Sequence, residues 1–189
     1  MNRFFLLILC SFALISCQNT NTSKKGNNTA ASYNDHLPKG QSAVKDEDSD
    51  ANVLQIAKSL DDFKTLVVAI ETAGVEDALV NAGPLTVFAP VNAAFEKLPE
   101  GTVETLLKPE NKAKLAFILT NHVAPANFPD TQLAKDAKKG RKLYMASGKY
   151  LEVEKKEDGL YVGGTKILKT VKASNGWIHV IADVLVPAE

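Results

Sequence analysis

Thr86-Val87-Phe88-Ala89-Pro90-Val91-Asn92-Ala93-Ala94-Phe95 holds a strand, a stop and a helix start in one short stretch. Leu85 to Ala89 is an apolar run of strand length, relieved by Thr86 and Ala89 as a buried strand allows. Pro90 has no N–H to offer a ladder and stops it. Asn92 is expected to cap a short helix that carries Leu98 and the core anchor Phe95, its side chain accepting from free N–H groups of the first turn. Upstream, Phe63, Leu66, Val67 and Ile70 fall at i, i+3, i+4 and i+7 and predict one face of an amphipathic helix. Asp61 or Asp62 can cap that helix, and Gly74 stands where a left-handed residue ends one. A helical turn around Val75 follows, closed by Gly83-Pro84. Downstream, Thr102 is placed to cap a helix bearing Val103, Leu106 and Leu107, and Pro109 sits near the first turn of another with Leu115, Ile118 and Leu119.

Past Asn121 the helical period fades. Residues 141–145, 150–155, 160–162 and 166–171 are strand candidates rich in Val, Ile, Leu and Tyr, punctuated by Ser147-Gly148, Asp158-Gly159 and Gly163-Gly164. Asn175-Gly176 reads as a hairpin turn, since both residues tolerate positive φ. Trp177-Ile178-His179-Val180-Ile181 and Val184-Leu185-Val186 then supply the last strands. Helices first and strands later predict an α+β domain on a largely antiparallel sheet, in one copy, over residues 51–189.

The amino-terminal part reads differently. Arg3 precedes an apolar run from Phe4 to Ile15, which is too short to span a bilayer but suits an export signal covering residues 1–16. Leu14-Ile15-Ser16-Cys17 resembles a bacterial lipobox, which implies acylation of Cys17. Cys10 lies within the signal, so the processed chain would hold no free thiol for a disulfide, a zinc site or a nucleophile. Several acyl chains on Cys17 would anchor the protein in a lipid bilayer, and Gln18 in place of Asp implies outer-membrane sorting in a bacterial cell envelope. Residues 17–50 read as the anchor and a polar tether, with a typical reach of roughly 30 Å. His36 and the acidic Asp46-Glu47-Asp48 belong to that tether and carry no site.

At 45% hydrophobic and 23% charged, the 189 residues are neither disordered nor fibrous, and 22 basic side chains balance 22 acidic ones. Zero formal net charge removes the electrostatic case for nucleic acid, so none is expected as a partner.

The stretch around Phe88, the segment Leu119-Thr120-Asn121-His122-Val123 and the close from Ser174 to Pro187 together resemble the fasciclin (FAS1) domain in order and spacing. The resemblance covers about 140 residues and implies the FAS1 fold, with helices packed on a wedge of sheet. It also implies cell adhesion, or binding of proteins or glycans. It assigns structural parts to Thr86, Phe88, Pro90, Asn92, Phe95, Asn175, Gly176, His179 and Asp183. Two departures stand out. Asn121 replaces the tyrosine of the family's Tyr-His pair, and Ala182 comes between Ile181 and the usual aspartate, here Asp183.

His122 and His179 each admit two readings. Either a neutral imidazole locks backbone by a buried hydrogen bond, or it contacts a ligand. Asn121 and His122 are one candidate binding region. Lys138, Lys139, Arg141 and Lys142, with Lys135 nearby, form another, a basic loop for an anionic partner flanked by Tyr144 and Tyr150. No Gly-x-Ser-x-Gly, Ser-x-x-Lys or His-Glu-x-x-His pattern appears, so neither an enzyme nor a metal nor a cofactor is expected. An anchored adhesion or binding module follows. A small-molecule binder using Trp177, His179 and His122, or a hydrolase assembling both histidines with Asp183, are the alternatives.

Overall fold

A computed structural model describes residues 50–81 and 83–187. The signal, Cys17 and the tether expected before Asp50 lie outside them. The chain runs α1 (Val53–Ser59), α2 (Lys64–Ala73), α3 (Glu76–Val80), β1 (Leu85–Pro90), α4 (Asn92–Glu96), α5 (Thr102–Leu106), α6 (Lys112–Thr120), β2 (Val123–Ala124), α7 (Asp130–Lys138), β3 (Lys142–Tyr144), β4 (Tyr150–Lys156), β5 (Gly159–Val162), β6 (Thr165–Ala173) and β7 (Gly176–Ile181). All seven strands form one sheet in the order β2-β1-β7-β6-β5-β4-β3. Only β1 and β7 pair in parallel; the other pairings are antiparallel. The expected α+β class with a largely antiparallel sheet is what the chain adopts.

The apolar run of β1 is explained by its place. All six of its residues are buried, because the strand lies inside the sheet and is covered on both faces. Leu85, Val87 and Ala89 point to a core built with α1, α2 and α6. Phe88 points the other way, into a second core with Leu133, Leu143, Met145, Val153, Val162 and Ile181. On α2 the buried residues are Leu66, Ala69, Ile70 and Ala73, the predicted stripe carried one turn further. Gly74 ends that helix at φ 67°, and its N–H bonds back to the Ile70 carbonyl.

Several local expectations are corrected. Residues 130–138 are helical, so Lys135 and Lys138 lie in the last turn of α7, while Lys139 and Arg141 occupy the turn after it and Lys142 opens β3. Pro129 before the helix, Asp130 in its first turn, Lys135 and Lys138 in its last turn, and Gly140 beyond are helix boundary signals. No helical period accompanies them, because Leu133 is the one large apolar residue of the segment.

Asn92 is already inside α4 and does not cap it. Its Oδ1 instead accepts the Thr65 N–H at 3.1 Å, in the first turn of α2, and its Nδ2 donates to the Asp61 carbonyl at 2.8 Å. Neither Asp61 nor Asp62 caps α2, which has no side-chain cap of its own at the N-cap position. Thr102 likewise caps nothing and occupies the first position of α5.

The hairpin turn is Ser174-Asn175, since Ala173 pairs with Gly176 and Gly176 opens β7. A glycine is needed there for space: any Cβ would run into the Leu85 carbonyl oxygen of β1. Finally, residues 184–186 form no strand and follow β7 as an irregular tail. Leu185 is buried in the second core.

Candidate functional site

The Asn121-His122 pair stands between α6 and β2, and both residues are buried, at 1% and 3% exposure. Their polar atoms are spent inside the chain. His122 Nε2 accepts the Leu185 N–H at 2.9 Å, so its Nδ1 carries the proton and donates to the Ile118 carbonyl at 2.8 Å. Asn121 Nδ2 donates to the Leu185 carbonyl at 3.2 Å, and its Oδ1 accepts from the Ser147 hydroxyl at 2.9 Å. Burial pushes the His122 pKa down to about 4, against a smaller opposing pull from the Ile118 carbonyl. The ring is therefore neutral at pH 7. The binding surface expected at Asn121 and His122 is thus a clasp on the C-terminal tail, closed to a partner.

His179 is fully buried on β7 and has the opposite tautomer. Nε2–H donates to the Phe128 carbonyl, leaving Nδ1 to accept from the Thr170 hydroxyl at 2.9 Å. Its ring stacks on Phe88 at a centroid distance of 5.3 Å. Burial lowers its pKa as well. Thr86 serves the same loop, donating to the Ala126 carbonyl at 2.7 Å and accepting the Phe128 N–H at 3.0 Å.

Asp183 binds elsewhere. Its N–H donates to Thr165 Oγ1 at 2.9 Å, whose hydroxyl donates to Asp183 Oδ2 at 3.0 Å. Lys97 pairs with Asp183 Oδ1 at 2.7 Å and donates to the Ala182 carbonyl, and this lysine is the main cause of the lowered Asp183 pKa. Asp183, one position beyond Ala182, thus bonds to Thr165 and Lys97. His122, His179 and Asp183 make no hydrogen bond to one another, so the acid–base set that the sequence allows is not assembled.

Asn175 also works at long range. Its Oδ1 accepts the Val53 N–H of α1 at 3.0 Å, and Nδ2 donates to the Leu79 carbonyl of α3 at 2.8 Å. Pro90 is buried within β1, whereas Phe95 is only half-buried. Ala94, beside it, is the buried anchor of α4.

The exposed chemistry gathers on the β3–β4 edge of the sheet and the end of α7. Tyr144 and Tyr150 face each other across the β3–β4 pair, 51% and 64% exposed, with ring centroids 5.3 Å apart. Two register positions away, on the same face, Lys142 pairs with Glu152 at 2.8 Å. Arg141 lies 3.6 Å from the buried Asp136, which also accepts from Gln132. Two of the five cations of the run are thus matched by acids. No ion pair among the described residues uses Lys135, Lys138 or Lys139.

Trp177, His179 and His122 do not share a cavity. His122 borders an apolar cleft of about 380 Å³ beside α4, α5 and α6, and Trp177 borders a separate hollow. The apolar lining of the cleft includes Phe95, Leu98, Val103, Leu106, Leu107, Leu115 and Ile118, which the sequence offers only as helix faces. Among the described residues no group of His, Cys, Asp and Glu could hold a metal ion.

The comparisons agree with this architecture. The family model of the fasciclin domain matches residues 61–187. Protein sll1483 of Synechocystis sp. is 42% identical over 141 residues, covering 74% of this chain and 76% of that protein. Transforming growth factor-beta-induced protein ig-h3 of Sus scrofa is 35% identical over 139 residues, 72% of this chain but 19% of that longer protein. Among solved structures, a FAS1 domain pair from the insect cell adhesion molecule fasciclin I matches with a TM-score of 0.53 at 20% identity, over 66% of this chain and 45% of that one. From Asp61 to the tail that Asn121 and His122 clasp, the chain belongs to the fasciclin domain family and has the FAS1 fold.

Proposed function

We propose that this chain is a cell-envelope adhesion module that contacts a protein or glycan through the β3–β4 edge, held on a bilayer by acyl chains on Cys17 and a tether that ends near Asp50. The Tyr144–Tyr150 pair carries the reading. Two large aromatic faces stand exposed side by side on an edge hairpin, where folding alone gains little from them. Lys135 and Lys138 in the last turn of α7, with Lys139 just past its end, supply positive charge for an anionic partner. Membrane anchoring would let many copies bind together, so weak single contacts suffice. The cell adhesion named for fasciclin I is consistent with this use of the fold. Catalysis forms no part of the proposal, because His122, His179 and Asp183 all work as structural links.

The test is retention of the purified full-length chain on whole cells, on a glycan array and on a membrane-protein extract, at low and at high salt. Saturable, salt-sensitive retention is expected. The double variant Tyr144→Ala, Tyr150→Ala should lose it, and reversing Lys135, Lys138 and Lys139 to Glu should weaken it. Retention that neither variant changes would overturn the assignment to this edge.

A further inference from the structure

The chain from Asn92 to Asn111 covers the helical core incompletely. Ala94 is its one fully buried residue, although Phe95, Leu98, Val103, Leu106 and Leu107 are all large and apolar. These five side chains line the cleft of about 380 Å³ instead of packing shut. Leu115 and Ile118 of α6 form the opposite wall, with Val184 and Val186 of the tail beside them. Protein interiors close-pack, whereas these half-buried side chains form an apolar wall open to the surface, with room for hydrocarbon against it. The volume lies in the range of ligand sites, about 300–1,000 Å³.

The polar groups narrow the chemistry. Both ring nitrogens of His122 are already bonded, and Asn111 Nδ2 donates to the Thr105 carbonyl at 2.7 Å. Lys114 is the basic side chain of the lining, and no ion pair among the described residues uses it. Glu100, the acidic one, belongs to the loop before α5. Lys114, Ile118 and His122 follow one another at four-residue steps along one side of α6 and its end, a row of about 12 Å. A cation at one end of an aliphatic trough suits an extended chain with an anionic head.

We infer that this cleft binds a free long-chain carboxylate, its hydrocarbon between α5 and α6 and its carboxylate paired with Lys114. An acyl group carried on Cys17 is an ester or amide and brings no charge for Lys114, which favours the free acid.

The experiment uses the full-length chain bearing Cys17→Ser, so that no acyl chain of its own competes. Octanoate, dodecanoate and hexadecanoate are titrated by calorimetry beside the alcohols of equal length. One ligand per chain is expected, with affinity rising roughly fourfold per added methylene until the cleft is full. Dodecanoate should bind about tenfold more tightly than dodecanol, and Lys114→Gln should erase that difference. Leu106→Trp should weaken every ligand. Val186→Trp, at a position 58% exposed, does the same at the rim without touching the core. No saturable binding, or binding that Val186→Trp leaves unchanged, overturns the site. Equal binding of acid and alcohol overturns the role of Lys114.

Discussion

His122 and Leu185, 63 positions apart, meet in a hydrogen bond of 2.9 Å from the Leu185 N–H to the imidazole Nε2. The neighbouring Asn121 takes the Leu185 carbonyl, so two adjacent side chains satisfy both polar groups of one buried residue. This replaces strand pairing for the tail and seats the Leu185 side chain in the second core. It also accounts for a histidine held neutral in the interior.

Replacing His122 by Leu keeps most of the apolar volume but leaves the buried Leu185 N–H without an acceptor. An unfolding loss of about 2 kcal/mol is expected by urea denaturation. Amide exchange at Leu185 should accelerate more than exchange in β1. Equal acceleration in both would show that the bond does not hold the tail.

Acid should weaken the fold before the carboxylates titrate. The His122 pKa is about 4 in the folded chain against 6.5 unfolded, so between these values only the unfolded chain takes up the proton. Stability then falls as pH falls, by a total on the order of 3 kcal/mol across the window. His179, lowered by burial too, adds to the fall with the same sign. The ring protons of His122 followed by NMR should titrate near pH 4; a midpoint near 6.5 would refute the clasp.

Gly176→Ala is expected to be severe. The added methyl meets the Leu85 backbone oxygen, so β1 and β7 must separate at the start of their parallel ladder. A loss of more than about 3 kcal/mol, or no soluble protein, is expected from thermal and chemical unfolding. If Gly176 served only a turn, alanine there would cost far less.

Asn92→Ala and Asn175→Ala should each cost about 1–2 kcal/mol, because each removes a cap from a helix distant in sequence. Exchange protection should drop at Thr65 in the first variant and at Val53 in the second. Loss of protection confined to α4 or to the β6–β7 turn would favour a purely local role.

Much of this molecule was legible from short-range pattern. The stripe on α2, the stop at Gly74, the apolar run of β1 and the alternating strands near the carboxyl end all follow from periodicity and backbone chemistry over a few residues. Tyr144, Tyr150 and the lysine run were visible as exposed-type residues in one neighbourhood. The roles of Asn92, Asn175, Asn121 and His122 were not, since their partners lie 27, 122, 64 and 63 positions away. Spacing along a chain says which residues share a face of one element. Only the docking of elements says which polar atom meets which. Helix and strand were therefore written locally, while the buried polar links and the apolar cleft beside α6 arose from how those elements pack.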